Sequence, residues 1–236
     1  MTLSLLTLGF LLGMRHATEA DHLAAMATIA SRSPGLRSTA LQGAAWGMGH
    51  TLTLLLVGGA ALLAGSAISE NLASLLELLV GLMLVALGLD LLYRLRRQRI
   101  HFHAHRHADG VRHVHAHAHA PGEPHDAAAH RHDHPERLPR RALLVGLMHG
   151  MAGSAALVIL AAQSAREPAT ALLYVLVFGL GSILGMATLS VVIMLPLQRL
   201  QARGLGRFHR GAQGLIGLAT LALGGLVIWE NALRLA

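Results

Sequence analysis

Five ionisable residues fall within eight positions of an otherwise apolar stretch near the start of the chain, in Arg15-His16-Ala17-Thr18-Glu19-Ala20-Asp21-His22. The chain has no cysteine, so a transition-metal site would rest mainly on imidazole and carboxylate ligands. If the stretch is one continuous helix, a turn of about 100° per residue puts His16, Glu19 and His22 on one face. Asp21 then points away, towards a neighbouring helix or as support for a histidine. We therefore predict a metal site made of His16, Glu19 and His22 and completed by Asp21.

Two further histidines lie in apolar, glycine-rich surroundings, His50 in Gly49-His50-Thr51 and His149 in His149-Gly150. Alone, each could simply hydrogen-bond to a neighbouring helix, as membrane histidines often do. Together with the first pair, they put imidazoles near the middle of three apolar segments. Imidazole suits nickel, cobalt, copper and zinc, so His50 and His149 are also candidate metal ligands.

The apolar segments that must position these residues point to a bilayer. Hydrophobic residues make up 53% of the chain and charged residues only 13%, against about 25% in a soluble domain. Ionisable groups inside a bilayer cost several kcal/mol each, which favours a functional reason for them. The alternative is that the first helix ends near Met14 and the octet is a cytoplasmic turn, but Leu3 to Met14 is too short to cross a bilayer. The sequence thus predicts an all-α polytopic membrane protein with six transmembrane helices, Leu3–Ala30, Leu41–Leu63, Leu72–Leu92, Ala142–Ala162, Ala169–Leu195 and Ala212–Leu233.

A polar tract divides the chain into a first membrane half (1–93), a loop (94–141) and a second membrane half (142–236). Each half has three predicted helices, so the second half enters the membrane from the opposite side, which is the setting for an inverted repeat. Weak traces of such a repeat are visible. Gly13-Met14-Arg15-His16 resembles Gly146-Leu147-Met148-His149, and Gly47-Met48-Gly49-His50 resembles Gly179-Leu180-Gly181-Ser182.

The loop holds twelve of the 17 histidines and no apolar periodicity, so we expect it to be disordered. Flexible histidine-rich tracts bind several divalent metals without fixed geometry. We therefore expect the loop to buffer metal through its alternating histidines, His101, His103, His105, His107, His113, His115, His117 and His119.

The basic residues indicate the orientation of the chain. All 19 are arginines, and they concentrate after the first, third and fifth predicted helices. The positive-inside rule puts those loops in the cytoplasm and both termini outside. His209 lies in the last basic loop, where we expect it to be solvated. A charge bias of this kind indicates topology rather than nucleic-acid binding.

The octet with the following Leu23-Ala24-Ala25 resembles the signature helix of the nickel/cobalt transporter superfamily, Arg-His-Ala-x-Asp-Ala-Asp-His followed by Ile-Ala-Ala. Trp46-Gly47-Met48-Gly49-His50-Thr51 is similar to that family's second motif, a Gly-His-Ser/Thr in the next helix. The layout with a histidine-rich loop resembles its six-helix members, among them nickel/cobalt efflux proteins and the UreH-like proteins associated with urease. Glu19 departs from the usual Asp, and His149-Gly150-Met151-Ala152-Gly153-Ser154 replaces the expected Asp-Thr-Ala-Thr-Glu motif but looks like the UreH-like branch.

The resemblance implies transport of Ni²⁺, or Co²⁺, across a bacterial inner membrane, with no cofactor of the protein's own. It also implies that a cytoplasmic nickel chaperone or urease and hydrogenase maturation proteins are partners. The main alternative is a membrane-bound nickel store or accessory protein that donates metal to urease or hydrogenase. A remote alternative is an intramembrane serine protease that uses Ser154, but the surrounding motif differs and the last helix has no histidine to act as base. We expect no enzyme.

Overall fold

The computed structural model describes residues 2–31, 33, 35–64, 69–97, 101–106, 112–117, 139–164 and 167–235. As predicted, the fold is all-α, with one short hairpin of strands in the loop. The elements in chain order are α1 (Thr2–His16), α2 (Ala20–Ala30), α3 (Leu36–Thr53), a π-helical turn (Leu54–Gly58), α4 (Gly59–Leu63), α5 (Glu70–Arg97), β1 (His101–Arg106), β2 (Arg112–His117), α6 (Arg140–Ser164), α7 (Pro168–Ala202) and α8 (Gly206–Leu235).

Three of the described helices are long and apolar enough to cross a membrane, Glu70–Arg97, Ala169–Ala202 and Gly206–Leu235. Even the shortest has 28 residues, which gives about 42 Å of helix against a hydrocarbon core of about 30 Å. The protein is therefore a multi-pass membrane protein. The first predicted span is divided between α1 and α2, and the second is interrupted by the π-helical turn. The count of six spans stays a prediction.

The helix expected over Leu3–Ala30 is broken between α1 and α2. Thr18 donates its hydroxyl to the Arg15 carbonyl at 2.6 Å, and Glu19 is extended, with φ −65° and ψ 150°. A side chain that bonds to the backbone in this way competes with helical hydrogen bonds. The helical-face argument made from the sequence is therefore wrong. The break leaves the side chain of Asp21 free to turn towards His22 and His149.

The two halves of the chain run in opposite directions where they meet. Along α3 and α7, the Thr51 hydroxyl donates to the Gly179 carbonyl at 3.1 Å, and a Cβ on Gly47 would lie 2.7 Å from Ile183 Cα. Contacts that advance along one helix thus recede along the other. The glycines of α5 and α8 follow the same antiparallel pattern. This is the packing that an inverted repeat requires.

Contacts of the first half recur in the second with the partners exchanged. A Cβ on Gly13 would collide with the carbonyl oxygen of Phe178, and a Cβ on Gly146 would collide with that of Trp46. Gly146 follows Gly13 by 133 positions (146 − 13) and Phe178 follows Trp46 by 132 (178 − 46). A second such pair has Gly49 against Leu143 and Gly181 against Phe10. The weak motif matches in the sequence are therefore matched positions in space.

The loop and its borders differ in detail from the expectation. α5 extends to Arg97 and α6 begins at Arg140, so both helices extend slightly into the tract 94–141. Within the tract expected to be disordered, β1 and β2 pair antiparallel, and residues 98–100, 107–111 and 118–138 lie outside the described ones. His209 is not solvated as expected, because it is buried and its Nδ1 lies 3.1 Å from the Leu197 carbonyl oxygen.

Candidate metal site

Three imidazoles converge where α1 ends, α2 begins and α3 passes. His16 is the last residue of α1, His22 lies in the first turn of α2, and His50 lies in α3. One nitrogen from each ring lies within 4.8 Å of the others. The closest pair is His16 Nε2 and His50 Nε2, which are 3.1 Å apart. We call these three residues the imidazole triad.

The spacing within the triad suits a single metal ion. An imidazole nitrogen binds Zn²⁺ at about 2.1 Å, so two ligands at right angles to each other are about 3.0 Å apart and two at a tetrahedral angle about 3.4 Å. The 3.1 Å between His16 and His50 lies within that range. Imidazole is a ligand that borderline divalent cations prefer. By ligand type and by the His16–His50 spacing, the triad could therefore hold nickel, cobalt, zinc or copper.

A carboxylate lies behind two of the three imidazoles. Glu19 Oε1 is 2.9 Å from His16 Nδ1, and Asp21 Oδ1 is 2.9 Å from His22 Nδ1. Since a carboxylate only accepts hydrogen bonds, each Nδ1 carries the proton and each Nε2 keeps its lone pair. His22 Nε2 is buried and has no hydrogen-bond partner among the described residues. The pairs have the arrangement of carboxylate–histidine–metal groups, in which the acid orients the ligand.

His149 joins the site from α6 through Asp21. Its Nε2 lies 2.9 Å from Asp21 Oδ2, so the one carboxylate has a histidine at each oxygen. Asp21, His22 and His149 form a second group whose ligand atoms lie within 4.8 Å of one another. The structure thus brings together all six candidate residues that the sequence indicated for the membrane.

The site is closed on one side and open on the other. His22, His50 and His149 are each at most 1% exposed. The side chains of Glu19 and Asp21 are 58% and 31% exposed, and that of His16 is 13% exposed. The break between α1 and α2 therefore exposes two carboxylates beside the buried imidazoles, and we call this side of the site the acidic opening.

Two aromatic residues that the sequence analysis did not select cover the imidazoles. Trp46 is 1% exposed, stacks on His22 with ring centroids 5.7 Å apart, and meets His149 edge-on at 5.6 Å. Phe178, its equivalent in the second half, lies 5.3 Å from His16. Trp46 precedes His50 by four positions, one helical turn, so this spacing could have identified it.

Six of the eight loop histidines expected to buffer metal lie on the two strands of the hairpin. The strands pair His101 with His117, His103 with His115 and His105 with His113. His107 and His119 lie outside the described residues, as does the side chain of Ser154. Metal buffering by the loop stays a prediction.

A helical multi-pass membrane protein with an imidazole cluster enclosed by its helices belongs to the class of membrane proteins that handle metal cations. The family model NicO, described as high-affinity nickel-transport protein, matches residues 2–226, and the chain belongs to this family. The chain is also 35% identical over 228 residues to the urease accessory protein UreH of Bacillus sp. (strain TB-90), a match that covers 94% of this chain and 89% of that protein. No solved structure matches.

Proposed function

We propose that the protein transports nickel, or cobalt, across the membrane and that the ion binds to His16, His22 and His50 on its way. The observation that carries this proposal is the convergence of three imidazole nitrogens within 4.8 Å inside a protein of a nickel-transport family. The ion is the substrate, and the protein acts as a transporter rather than an enzyme.

The number of ligands supports passage rather than storage. Structural metal sites usually enclose the ion with four protein ligands, whereas the imidazole triad supplies three. An ion held by three imidazoles keeps open positions for water or for a transient ligand. A transport site must bind well enough to take up the ion and weakly enough to release it.

The acidic opening provides the approach to this site. Glu19 and Asp21 bear negative charge beside the triad and are exposed at the break between α1 and α2. Carboxylates in such an opening raise the local concentration of a divalent cation. The ion therefore meets Glu19 and Asp21 before it exchanges water for the imidazoles.

The orientation of the transporter follows from the placement of its arginines, and its partner proteins from the name of its relative. The three arginine-rich loops lie in the cytoplasm of a bacterial cell and both termini lie outside. On the cytoplasmic side a nickel chaperone or a urease or hydrogenase maturation protein receives the ion. The name of the relative, a urease accessory protein, supports urease as one destination.

The test is nickel flux into sealed proteoliposomes of known orientation, with and without a proton gradient. The wild-type chain is expected to accumulate Ni²⁺, and His22→Ala to lose accumulation while it inserts normally. His209→Gln is the matched control, because His209 is also a buried histidine but lies at the Leu197 carbonyl instead of the metal site. Stoichiometric binding without flux would identify the protein as a membrane-bound store or donor instead.

A further inference from the structure

His149 differs from the triad histidines in the group that it faces. Its Nε2 is directed at Asp21 Oδ2 at 2.9 Å, whereas the Nε2 atoms of His16 and His50 face each other. We propose that His149 is a positioning residue that acts on the metal through Asp21 and His22 and is not itself a ligand. This inference rests on the proposed function and assigns a role within the same site.

The hydrogen bonds that link His22, Asp21 and His149 determine which ring nitrogen of each histidine carries the proton. Asp21 accepts a hydrogen bond from His22 Nδ1 with one oxygen and from His149 Nε2 with the other, both at 2.9 Å. It also accepts the backbone N–H of His22 at 2.8 Å. The carboxylate is therefore held from three directions. Its orientation fixes the ring of His22, whose Nε2 is left for the metal.

The ring of His149 lies nearer to that of His22 than to that of His50. The rings of His22 and His149 have centroids 4.1 Å apart, but those of His50 and His149 are 6.0 Å apart. Among the described residues, one nitrogen of His149 lies within 4.8 Å of ligand atoms of Asp21 and His22, a spacing at which this second group could itself hold an ion. With Nε2 bonded to Asp21, the remaining Nδ1 of His149 is buried and has no hydrogen-bond partner in this part of the chain.

The backbone around His149 is held tightly against α3. A Cβ on Gly150 would lie 2.5 Å from the His50 carbonyl oxygen, and Thr53 donates its hydroxyl to the Leu147 carbonyl at 3.0 Å. Changes to the His149 side chain therefore leave the helix in place. Conversely, a movement of α6 relative to α2 would shift Asp21 and with it the metal ligand His22.

Replacement of His149 by glutamine or by asparagine tests which of its two ring nitrogens matters. The side-chain nitrogen of glutamine can occupy the place of histidine Nε2 and donate to Asp21. The side-chain nitrogen of asparagine corresponds to histidine Nδ1 and is too far back to reach Asp21. The experiment compares His149→Gln with His149→Asn in the full-length chain in which the twelve loop histidines are replaced by asparagine, which leaves five histidines (17 − 12). Co²⁺ alone is the probe.

We expect X-ray absorption to give the same number of imidazole ligands in the parent chain and both variants. Loss of a partner that orients a metal ligand costs about 10- to 100-fold in metal affinity, so His149→Asn is expected to bind Co²⁺ that much more weakly and His149→Gln within a few-fold of the parent. In the metal-free parent, nitrogen NMR is expected to find the proton on Nδ1 of His22 and on Nε2 of His149.

One imidazole fewer in both variants, with Gln no better than Asn, would make His149 a ligand and overturn the inference alone. A parent chain that binds Co²⁺ through imidazoles but gives no flux in vesicles would instead contradict the proposed function and leave the role of His149 in metal binding intact. Oxygen ligands only in the parent would overturn both.

Discussion

At the scale of single residues, the site must handle a doubly charged ion in a medium that disfavours charge. Neutral imidazoles contribute no charge, so Glu19 and Asp21 have to balance the ion between them. The two carboxylates have different surroundings, because the side chain of Asp21 is 31% exposed and that of Glu19 58% exposed. Water screens the more exposed charge more strongly. Asp21 should therefore contribute more to binding than Glu19.

This difference can be measured with Asp21→Asn and Glu19→Gln, which remove the charge and keep the shape. We expect Asp21→Asn to weaken Ni²⁺ binding about 10- to 100-fold and Glu19→Gln to weaken it less. Asparagine lacks the charge, and it replaces one of the two oxygens that accept from His22 and His149 with an amide nitrogen that donates. The measurement is a Ni²⁺ titration of the detergent-solubilised chain with asparagine at the loop histidines. Asp90→Asn is the control, since Asp90 bonds to Arg94 on α5, outside the site. Equal effects of Asp21→Asn and Glu19→Gln would contradict a larger contribution of Asp21 to metal binding.

The convergence of the histidines could be predicted from the sequence, but the separate role of each histidine could not. His50 and His149 adjoin glycines and His16 follows Gly13 by three positions, all at similar depths of predicted spans, and this suffices to bring them together once the helices pack. Which nitrogen faces the metal depends on Asp21, and the direction of Asp21 depends on the break at Ala17–Glu19. No glycine or proline marks that break. Residues 17–20 are compatible with a helix, so local propensity gave the wrong geometry.

At the scale of elements, glycines bring the helices that carry the site into backbone contact. A Cβ on Gly13 would collide with the carbonyl oxygen of Phe178, which is rigid main chain and cannot give way as a side chain does. The close approach of α1 to α7 therefore fixes the position of His16, the last residue of α1. A methyl group here should affect both stability and transport.

We expect Gly13→Ala to lower the stability of the protein by about 1–3 kcal/mol, the usual effect of overpacking, and to reduce nickel flux because His16 shifts with α1. Thermal unfolding in detergent and flux in proteoliposomes measure the two effects. Gly225→Ala in α8 is the matched control, because a Cβ there meets nothing within 4 Å. A Gly13→Ala protein as stable and active as the control would show that α1 tolerates displacement from α7.

At the scale of the whole molecule, the loop and the membrane helices have separable tasks. The site is built from α1, α2, α3 and α6, so the loop is not needed to form it. Replacement of the twelve histidines between His101 and His134 by asparagine should therefore leave nickel flux and change its dependence on nickel concentration. Flux measured over a range of Ni²⁺ tests this. Complete loss of flux in a well-inserted variant would place the loop in the pathway.

The antiparallel packing of the two halves adds a second, independent basis for predicting the membrane topology, beside the arginines. In an inverted repeat, equivalent loops lie on opposite sides of the membrane. The connection before Glu70 at the start of α5 is equivalent to the connection after Ala202 at the end of α7. The first has acidic Glu70, and the second is followed by Arg203 and Arg207. Symmetry thus predicts that the two connections lie on opposite sides, and the arginines predict that the second lies in the cytoplasm.

Since the chain has no cysteine, single cysteines can report this directly. Glu70, Glu167 and Arg203 are exposed positions outside the metal site. We expect a membrane-impermeant maleimide applied to intact cells to label Glu70→Cys and Glu167→Cys, and to label Arg203→Cys only after the membrane is opened. Labelling of Glu70→Cys and Arg203→Cys from the same side would contradict the inverted repeat, whereas a complete reversal of the pattern would keep the repeat and reverse the orientation. The two causes of the topology, antiparallel packing and arginine placement, are thus tested separately by one set of variants.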